Sequence, residues 1–373
     1  MRSQPSAMNW RECAKQVTPG GAQTRSKRDL YPDPVEIAGG NGAHVFDSQG
    51  REYVDWISGL CAVGLGHAHP RVNEAVWAQM CMGNCMPMPT KLEVETAEDL
   101  MAAIKYGEMV RWVSTGSEAT AGAMLIARRA TGRSQILSVG YHGWHPGHLK
   151  GNNLVEVPYG DLRRLETCMS GSYVAGVLME PMRDTTPPAG YLEQVQALCK
   201  RHGALFILDE IVTGFRWRVG GATEMFSLDP DIACYGKAMA NGYRVGAIVG
   251  KRAVMEHAEG VSSTYGGECV GLAAARATIR VYREEDVIGH LWATGKDLMA
   301  EMARAGRPMT GYPVHPRFRS EDTVDDTWYN IPHDVRELTH KMAARGVLAH
   351  PAGLNPNYSH TSEDVAKTVE AVK

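Results

Sequence analysis

The stretch Leu-Phe-Ile-Leu-Asp-Glu-Ile, residues 205–211, is a short apolar run that ends in two carboxylates. A run of this length bounded by polar residues is typical of a buried strand, which would deliver Asp209 to its carboxyl end. Similar apolar runs lie at 109–113, 135–139, 174–179, 232–233 and 245–249, with helical stretches between them at 91–106, 117–131 and 190–202. This alternation predicts an α/β fold with a mostly parallel sheet covered by helices on both faces.

The flanking segments follow other patterns. Three short strands separated by turn residues, at 35–37, 44–47 and 52–55, predict a small antiparallel meander. A helix over 8–17 precedes this meander, and one long helix over about 267–305 follows the sheet. The tail predicts an irregular stretch at 308–332, a helix from Asp334 and a last helix from Thr361.

Composition excludes several classes of function. The 373 residues carry a net charge of −3 without a run of Lys or Arg, so nucleic acid is a poor ligand. No apolar stretch reaches the length of a membrane span, and the polar N-terminus lacks the apolar centre of a secretory signal. The eight cysteines are scattered without a metal-binding spacing, which indicates reduced thiols. We therefore expect a cytoplasmic protein.

Three histidines invite a metal interpretation, because His142, His145 and His148 are spaced His-x-x-His-x-x-His. The Gly and Pro residues between them break any helix that could align the three rings, and no carboxylate or thiol accompanies them. We therefore expect loop histidines near a polar pocket and no metal site.

The run Tyr-Gly-Lys-Ala-Met-Ala-Asn-Gly-Tyr, residues 235–243, places Lys237 on a loop flanked by glycine. A lysine and a buried carboxylate at a strand end are the two groups needed to hold pyridoxal phosphate. The lysine forms a Schiff base with the aldehyde, and the aspartate keeps the pyridine nitrogen protonated. Taken alone, Asp209 and Glu210 after an apolar run also suit a magnesium-dependent nucleotide site.

A second segment predicts a phosphate site. Ser-Thr-Gly-Ser-Glu-Ala, residues 114–119, opens a helix directly after the strand at 109–113. Gly116 allows the backbone to approach closely, Ser117 offers a hydroxyl, and the helix N-terminus presents free amides with a favourable dipole. The same residues also satisfy a capping box, in which Ser or Thr is followed three residues later by Glu. The segment by itself favours the cap.

Three more residues have two interpretations each. Tyr141, which follows the strand at 135–139 and precedes His142 and Gly143, either lies flat against a cofactor ring or is a surface aromatic. Glu180 ends the strand at 174–179 and is either a pocket acid or a helix cap. Thr264 precedes the long helix and offers either a second hydroxyl for phosphate or another cap.

Together these motifs occur in the order and spacing of class III aminotransferases of fold type I. The sequence resembles glutamate-1-semialdehyde aminomutase and its aminotransferase relatives over nearly the whole chain. Residues 43–70 resemble the N-terminal signature of the family, 209–216 its nitrogen-anchoring segment, and Gly236-Lys237 its Schiff-base segment.

The resemblance implies a fold type I transferase that uses pyridoxal phosphate. Its large domain would span 66–305, and a small α+β domain would combine 1–65 with 306–373. A homodimer with shared active sites is also implied, in which Thr264 binds the phosphate of the neighbouring subunit's cofactor.

The resemblance also implies a role for each motif. Lys237 would carry the cofactor and Asp209 would pair with the ring nitrogen. Tyr141 and Ile211 would lie on the two ring faces, and Gly116 and Ser117 would bind the phosphate. His142 is a further expected cofactor-binding residue. Glu180 would sit beside the substrate.

The positions at which this sequence differs from the mutase bear on which substrate the enzyme uses. Where the mutase shows Asn-Ser-Pro-Val-Arg, this chain has Gln-Thr-Arg-Ser-Lys at 23–27, and Leu60 replaces an expected aromatic. The segment after residues 141–143 is also shorter than the gating loop of the mutase. These differences favour an ordinary aminotransferase over intramolecular amine transfer. A scaffold without a cofactor is disfavoured, because it has no need of Lys237, Asp209 and Ser117 together.

The sequences of residues 141–145 and 179–183 resemble those of relatives in surface-polysaccharide and nucleotide-sugar pathways. We therefore expect an oxidised sugar or a similar polar carbonyl compound as amine acceptor. The candidate recognition residues are Trp144, Arg183, Arg216 and Arg244, and each arginine has a solvated surface role as its alternative.

Overall fold

The computed structural model describes residues 10–28, 31, 35–145, 147, 151, 153–171, 173–182, 185–320 and 332–373. Its helices are α1 (Trp10–Val17), α2 (Arg25–Arg28), α3 (Ser58–Cys61), α4 (Pro70–Met82), α5 (Lys91–Ile104), α6 (Gly116–Thr131), α7 (Leu162–Met169), α8 (Tyr191–His202), α9 (Gly221–Met225), α10 (Arg252–Met255), α11 (Cys269–Glu284), α12 (Val287–Arg304), α13 (His333–Ala344) and α14 (Ser362–Val372). Its strands are β1 (Ile37–Asn41), β2 (His44–Asp47), β3 (Glu52–Asp55), β4 (Met109–Val113), β5 (Gln135–Val139), β6 (Leu154–Glu156), β7 (Val174–Met179), β8 (Leu205–Asp209), β9 (Ile232–Tyr235), β10 (Gly246–Gly250), β11 (Met309–Tyr312), β12 (His315–Phe318) and β13 (Val347–Leu348).

The large sheet of the described residues runs in the order β4-β10-β9-β8-β7-β5-β6. Strand β10 is antiparallel to both of its neighbours, while β9, β8, β7, β5 and β6 pair in parallel. The α/β fold with a mostly parallel sheet, predicted from the alternation of apolar runs and helices, is confirmed. The carboxyl ends of the parallel strands meet at one edge, where ligands of such sheets bind.

Helices cover both faces of this sheet. Successive side chains of a strand point to opposite faces, so neighbouring residues pack against different helices. In β8, Ile207 packs in one cluster with Ala123 and Ala127 of α6. Its neighbours Phe206 and Leu208 belong to the opposite cluster, which α7 and α8 cover. Asp209, the last residue of β8, therefore lies at the end of a strand that is covered by apolar residues on both faces.

A second sheet has the order β1-β2-β3-β13. The antiparallel meander predicted for the N-terminal segment is confirmed, and β13 adds to it in parallel, with Val347 opposite Val54 and Leu348 opposite Asp55. Apolar residues of α12, α13 and α14 pack against Val54 of β3 and Val347 of β13. The N-terminal and C-terminal parts of the chain thus share one core, while the boundaries of the two domains stay a prediction.

Two expectations about the C-terminal part were wrong. The single helix over 267–305 is divided into α11 and α12, because Glu285 is extended at φ −128° and ψ 148°. Asp286 then caps α12 by accepting a hydrogen bond of 3.0 Å from the backbone N–H of Gly289. The stretch expected to be irregular contains the hairpin of β11 and β12, whereas residues 321–331 lie outside the described residues. None of the described helices has the length and apolarity of a membrane span.

Candidate active site

Lys237 follows β9 and begins a short 3-10 turn, Lys237–Ala240, with a left-handed φ of 45°. The rest of that turn is buried in the main core, while the lysine side chain is partly accessible. Asn241 anchors the turn, since its Oδ1 accepts from the N–H of Leu65 at 2.9 Å and its Nδ2 donates to the carbonyl of Gly66 at 2.9 Å. A rigid turn therefore presents the lysine amine at the carboxyl edge of the sheet.

Asp209 forms a buried pair with His142. The Oδ2 of Asp209 lies 2.8 Å from Nδ1 of His142, and the Oδ1 accepts from the N–H of Ile211 at 3.1 Å. The carbonyl of His142 accepts a hydrogen bond of 2.7 Å from the hydroxyl of Thr120. The imidazole Nε2 is buried and has no hydrogen-bond partner in the described part of the chain. The carboxylate is thus oriented by two contacts before any ligand arrives.

Glu210 points into a different environment. Its carboxylate accepts hydrogen bonds from the hydroxyl of Thr213, from the N–H of Ala222 and from both the N–H and the hydroxyl of Thr223. Burial raises the pKa of Glu210, although these hydrogen bonds act in the opposite direction. Since its oxygens are used to hold the loop before and through α9, Glu210 does not share a cation with Asp209.

The magnesium interpretation therefore has no support at this pair of carboxylates. No group of three metal-ligating side chains occurs among the described residues, which include His142 and His145. The third histidine of the spaced motif, His148, lies outside the described residues.

The N-terminus of α6 keeps the hydroxyl of Ser117 outside its cap. Thr115 is the N-cap and its side chain accepts from the N–H of Glu118 at 3.2 Å, while the Glu118 carboxylate accepts from the N–H of Ser114 at 2.7 Å. The cap expected from the sequence is therefore present, but residues other than Ser117 form it. The cap is compatible with a phosphate site, because it does not use the hydroxyl of Ser117. That hydroxyl and the free N–H groups of the first helical turn can therefore bind a phosphate together.

Two segments distant in sequence, at Gly116 and Gly236, lie close to Ile211. A Cβ placed on Gly116 would lie 3.0 Å from Cγ2 of Ile211, and one placed on Gly236 would lie 3.2 Å from its Cδ1. Gly143, with a φ of +113°, approaches the same region, because its Cβ would lie 2.1 Å from Oγ of Ser117. The helix N-terminus, the carboxylate strand and the lysine turn are therefore neighbours, as the sequence motifs implied.

Tyr141 and Glu180 are linked through the backbone. Oε2 of Glu180 accepts a hydrogen bond of 2.9 Å from the N–H of Tyr141. The tyrosine is 53% exposed, whereas Glu180 is 9% exposed. The acid therefore holds the backbone of the loop that carries Tyr141 and His142.

The other expected recognition residues fall in different places. Trp144 is 76% exposed. Arg244 and Thr264 are also exposed, and the guanidinium of Arg244 lies 5.3 Å from the ring centroid of Tyr265. Arg183 lies outside the described residues.

Arg216 is fully buried, so the surface alternative is wrong for this residue. Its Nη1 donates to the carbonyls of Val314 at 2.9 Å and Pro356 at 3.1 Å. Both acceptors belong to the C-terminal part of the chain. The sequence around Arg216 contains no pattern that predicts these contacts.

Sequence reasoning did not single out Cys61 among the eight scattered cysteines. Its thiol donates to Oδ1 of Asn355 at 2.8 Å. Burial would raise the pKa of Cys61, but the charge of Arg216, a hydrogen bond and charge from His315, and the charge of Lys237 outweigh burial and lower it to about 6. The partners lie far away in sequence, so only the fold brings them together.

Cys61 ends α3, which is a left-handed turn. Ser58, Gly59, Leu60 and Cys61 have φ values of 45°, 59°, 56° and 72°. A left-handed conformation costs an L-residue about 1–2 kcal/mol. Hydrogen bonds hold the turn at Ser58, whose Oγ donates to the carbonyl of Asn355 at 2.9 Å and accepts from Nδ2 of Asn357 at 3.1 Å.

Comparison with known proteins places these features in a family. The model of the class III aminotransferases matches residues 26–153 and 153–373. A glutamate-1-semialdehyde 2,1-aminomutase of Thermomicrobium roseum is 30% identical over 429 aligned residues, covering 100% of this chain and 98% of the relative. A 3-aminobutyryl-CoA aminotransferase of Cloacimonas acidaminovorans is 31% identical over 406 residues, covering 98% and 95%.

Solved structures agree with the fold. The internal aldimine form of the Sphingopyxis FumI protein superposes with a TM-score of 0.87 at 26% identity, covering 97% of this chain and 94% of that one. An aminomutase of Pseudomonas aeruginosa shares the fold with a TM-score of 0.86 at 21% identity, covering 97% and 92%.

Pyridoxal phosphate is the cofactor of this family, and the residues present fit it. A partly accessible lysine, a buried carboxylate oriented by His142 and a helix N-terminus with a free hydroxyl supply the three kinds of contact that it needs. Because the family model spans residues 26–373 and relatives at 30% identity cover the whole chain, the protein belongs to the class III aminotransferases.

Proposed function

We propose that this enzyme moves an amino group from a donor amine or amino acid to a separate carbonyl acceptor. The observation that carries the proposal is the position of Ile211, which contacts both Gly116 and Gly236. This proximity of the α6 N-terminus, the segment after Asp209 and the turn of Lys237 supports a single cofactor site built from the three. Bound there, pyridoxal phosphate would supply an electron sink for a carbanion at the substrate carbon.

The residues of the chain have separate tasks in this proposal. Lys237 holds the cofactor and, once free, is a general base that takes or returns a proton at the substrate carbon. Asp209, oriented by His142, holds negative charge opposite the ring nitrogen. Gly116 and Ser117 hold the phosphate through backbone amides and a hydroxyl. Tyr141 and Ile211 cover the two ring faces, which restricts the ring to one orientation.

Transfer between two molecules is supported by three departures from the mutase pattern: residues 23–27, Leu60, and the short segment after Gly143. The second candidate is a 2,1-aminomutase, which is favoured by the names of several relatives. The two reactions differ in whether an amino group leaves with one product and returns with another substrate.

A polar carbonyl compound, such as an oxidised sugar, is the proposed acceptor. Trp144 supports it, because this exposed indole follows the loop of His142 and Gly143 and can pack on the apolar face of a sugar ring. Arg244, exposed beside Tyr265, would contact charged groups of the acceptor. Arg183 is proposed as a further recognition residue from the sequence alone.

A homodimer is proposed because several large apolar side chains between Trp77 and Met88 are exposed on the single chain. This surface, the methionine surface, consists of Trp77, Met80, Met82, Met86 and Met88, which are 40–72% exposed. Exposed apolar patches of this kind mark protein interfaces. The surface is tied to the start of α11, since the carbonyl and Oδ1 of Asn84 accept from the N–H groups of Cys269 and Val270 at 3.0 and 2.9 Å. Thr264, shortly before α11 begins, would reach the partner's phosphate.

One experiment separates the two candidate reactions. The enzyme is converted to its pyridoxamine form and mixed with single acceptors from a panel of keto-sugars, nucleotide sugars and simple keto acids. We expect one equivalent of aminated product per active site and the return of visible absorbance with at least one acceptor. A product formed only by rearrangement of a single substrate would contradict transfer and support the mutase.

A further inference from the structure

Asn241 closes the turn of Lys237 with two side-chain hydrogen bonds to one short piece of backbone. Its Oδ1 accepts from the N–H of Leu65 at 2.9 Å, and its Nδ2 donates to the carbonyl of Gly66 at 2.9 Å. The side chain is 7% exposed, so both bonds are shielded from water, where the loss of a partner is costly. The amide of Asn241 thus joins the lysine turn to residues 63–66, which we call the support loop.

The lysine turn needs such support, because it begins and ends in left-handed residues. Lys237 has a φ of 45° and Asn241 a φ of 47°. This conformation is unfavourable for a residue with a side chain, and it persists only where the surroundings enforce it. Asparagine adopts it more readily than lysine does. The two bonds of Asn241 therefore help to hold Lys237 in a conformation that lysine does not favour by itself.

The support loop also packs directly on the lysine turn. A Cβ placed on Gly64 would lie 3.4 Å from Cβ of Ala238, a residue of the turn. A Cβ placed on Gly242, just after the turn, would lie 3.4 Å from Cγ2 of Val63. The loop therefore contacts the turn both before and after its closing residue, and a shift of the loop is transmitted to the turn.

The C-terminal part of the chain bonds to the same support loop. The carbonyl of Gly64 accepts a hydrogen bond of 2.9 Å from the N–H of Tyr358, and the carbonyl of Leu65 accepts one of 2.9 Å from Oγ of Ser359. Ser359 lies 294 residues beyond Leu65, so this contact exists only in the folded chain. A series of hydrogen bonds thus runs from Tyr358 and Ser359 through the support loop to the lysine turn.

We propose that Asn241 is a positioning residue for Lys237, and that Tyr358 and Ser359 act through it to fix the turn that carries the lysine. The proposal rests on the proposed role of Lys237 as cofactor anchor and general base. Proton transfer requires the amine to lie within hydrogen-bond reach of the substrate carbon. A small displacement of the turn should therefore slow this step more than it weakens binding.

Three substitutions test the series of hydrogen bonds at different points. Asn241→Gly removes both side-chain bonds and leaves the left-handed φ favourable. Asn241→Asp keeps an acceptor for the N–H of Leu65 but loses the donor to Gly66. Ser359→Ala leaves the turn intact and removes one support of the loop. Asn153→Gly is the matched control, because it changes an exposed asparagine with a φ of 54° outside the site.

Hydrogen exchange of the cofactor-free protein measures the order of the lysine turn without turnover. The N–H groups of Met239 and Asn241 form hydrogen bonds within the turn, so their exchange reports its opening. We expect exchange of residues 237–243 to accelerate about tenfold in Asn241→Gly, and about threefold in Asn241→Asp and in Ser359→Ala.

Strand β8 is the internal reference for this measurement. Its exchange should be the same in all variants, and Asn153→Gly should match the wild type at the lysine turn. Unchanged exchange of the turn in Asn241→Gly would overturn the proposal, as would equal acceleration in β8, which indicates general destabilisation. Unchanged exchange in Ser359→Ala would refute the role of the C-terminal residues. If Asn241→Gly does not fold, Asn241→Asp decides the same question.

A kinetic measurement distinguishes positioning from a structural role. L-alanine, L-glutamate and 3-aminobutanoate are each compared with the form that carries deuterium at the carbon bearing the amino group, and loss of the cofactor's visible absorbance is followed in single turnover. For the fastest donor, Asn241→Gly should lower the rate at saturation about tenfold and change the half-saturating concentration less than about 3-fold. The deuterium isotope effect should rise, because transfer of the proton to Lys237 becomes slower.

A structural role of Asn241 gives a different result. The number of active sites would then fall, while the rate and the isotope effect of the remaining sites would stay as in the wild type, and this outcome would overturn the proposal. If the wild type reacts with none of the donors, the proposed function fails. Hydrogen exchange still decides in that case whether Asn241 and Ser359 hold the lysine turn.

Discussion

Nδ1 of His142 lies 2.8 Å from Oδ2 of Asp209, and both side chains are buried at the carboxyl edge of the large sheet. His142 is in turn fixed by the hydroxyl of Thr120, a residue of α6. The helix that presents Gly116 and Ser117 therefore also positions the carboxylate. The proposed phosphate site and the proposed nitrogen-anchoring carboxylate are therefore both held by α6.

Replacing Lys237 with alanine should abolish amine transfer, because the chain then lacks both the anchor of the cofactor and the general base. The visible absorbance of the protein dialysed against pyridoxal phosphate should disappear at the same time. Lys251→Ala, which removes a lysine paired with Asp229 and Asp231 away from the site, is the control. Full turnover by Lys237→Ala would show that another residue carries the cofactor.

Asp209→Asn keeps the size of the side chain and removes its charge. We expect kcat to fall about 100–1,000-fold, the usual effect of losing one preorganised electrostatic contact. His142→Phe removes the orienting contact and should cost about 10–100-fold, since a hydrogen bond to a charged group contributes about 1.5–3 kcal/mol. Because His142 acts through Asp209, the double variant should be little worse than Asp209→Asn; additive losses would contradict that dependence.

Gly143→Ala should weaken cofactor binding. Its φ of +113° is unfavourable for alanine, and the new Cβ would lie 2.1 Å from Oγ of Ser117. We expect the Kd for pyridoxal phosphate, measured by fluorescence titration, to rise about tenfold or more, which corresponds to about 1.4 kcal/mol. Gly50→Ala is the matched control, because Gly50 has a φ of +82° but open space around its Cβ. Equal effects of the two substitutions would mean that the contact with Ser117 is unimportant.

The lowered pKa of Cys61 makes stability depend on pH. The thiol ionises near pH 6 in the folded cofactor-free protein and near pH 9 when unfolded, so the unfolded state binds more protons between these values. The free energy of unfolding should therefore rise with pH from 6 to 9, by up to about 1.4 kcal/mol per pH unit, and lose this contribution as the pH falls towards 6. Urea titrations should show a smaller rise for Cys61→Ser. Identical pH slopes would rule out a thiolate in the folded state.

The methionine surface predicts the oligomeric state. Light scattering should give twice the chain mass of 40.7 kDa for the wild type. Met82→Glu with Met88→Glu places charges on the proposed interface and should shift the mass towards one chain. Val17→Glu, at an 83% exposed position outside that surface, should not. A monomeric wild type would contradict the dimer.

Residues at strand ends were predictable because their surroundings are local. Asp209 and Lys237 each follow an apolar strand, and Gly116 opens a helix directly after one, so periodicity and turn residues suffice to place them at one edge. The resemblance to a known family then supplied their roles. The break between α11 and α12 was also marked in the sequence by the capping residue Asp286, but continuous helical periodicity on both sides concealed it.

Long-range contacts were beyond sequence reasoning. Cys61 and Asn355 are separated by 294 residues, and Arg216 meets the carbonyl of Pro356 across 140 residues. Whether an arginine is solvated or buried depends on what the tertiary fold places over it, and no pattern near residue 216 contains that information. The same reason explains why β13, only two residues long, was not predicted: its partner β3 gives it its conformation.

The pairing of β13 with β3 has a consequence for biosynthesis. The strand that leads into the turn at Ser58 receives its last neighbour only when Val347 and Leu348 have been made, and Asn355, which holds the turn, comes later still. Contacts of such long sequence separation form late in folding. A nascent chain halted before Val347 would already contain the strands of the large sheet and Lys237, yet β3 would lack its parallel neighbour and the turn at Ser58 would lack Asn355. The order of this N-terminal turn therefore depends on residues 347–355, which are made almost 300 residues later.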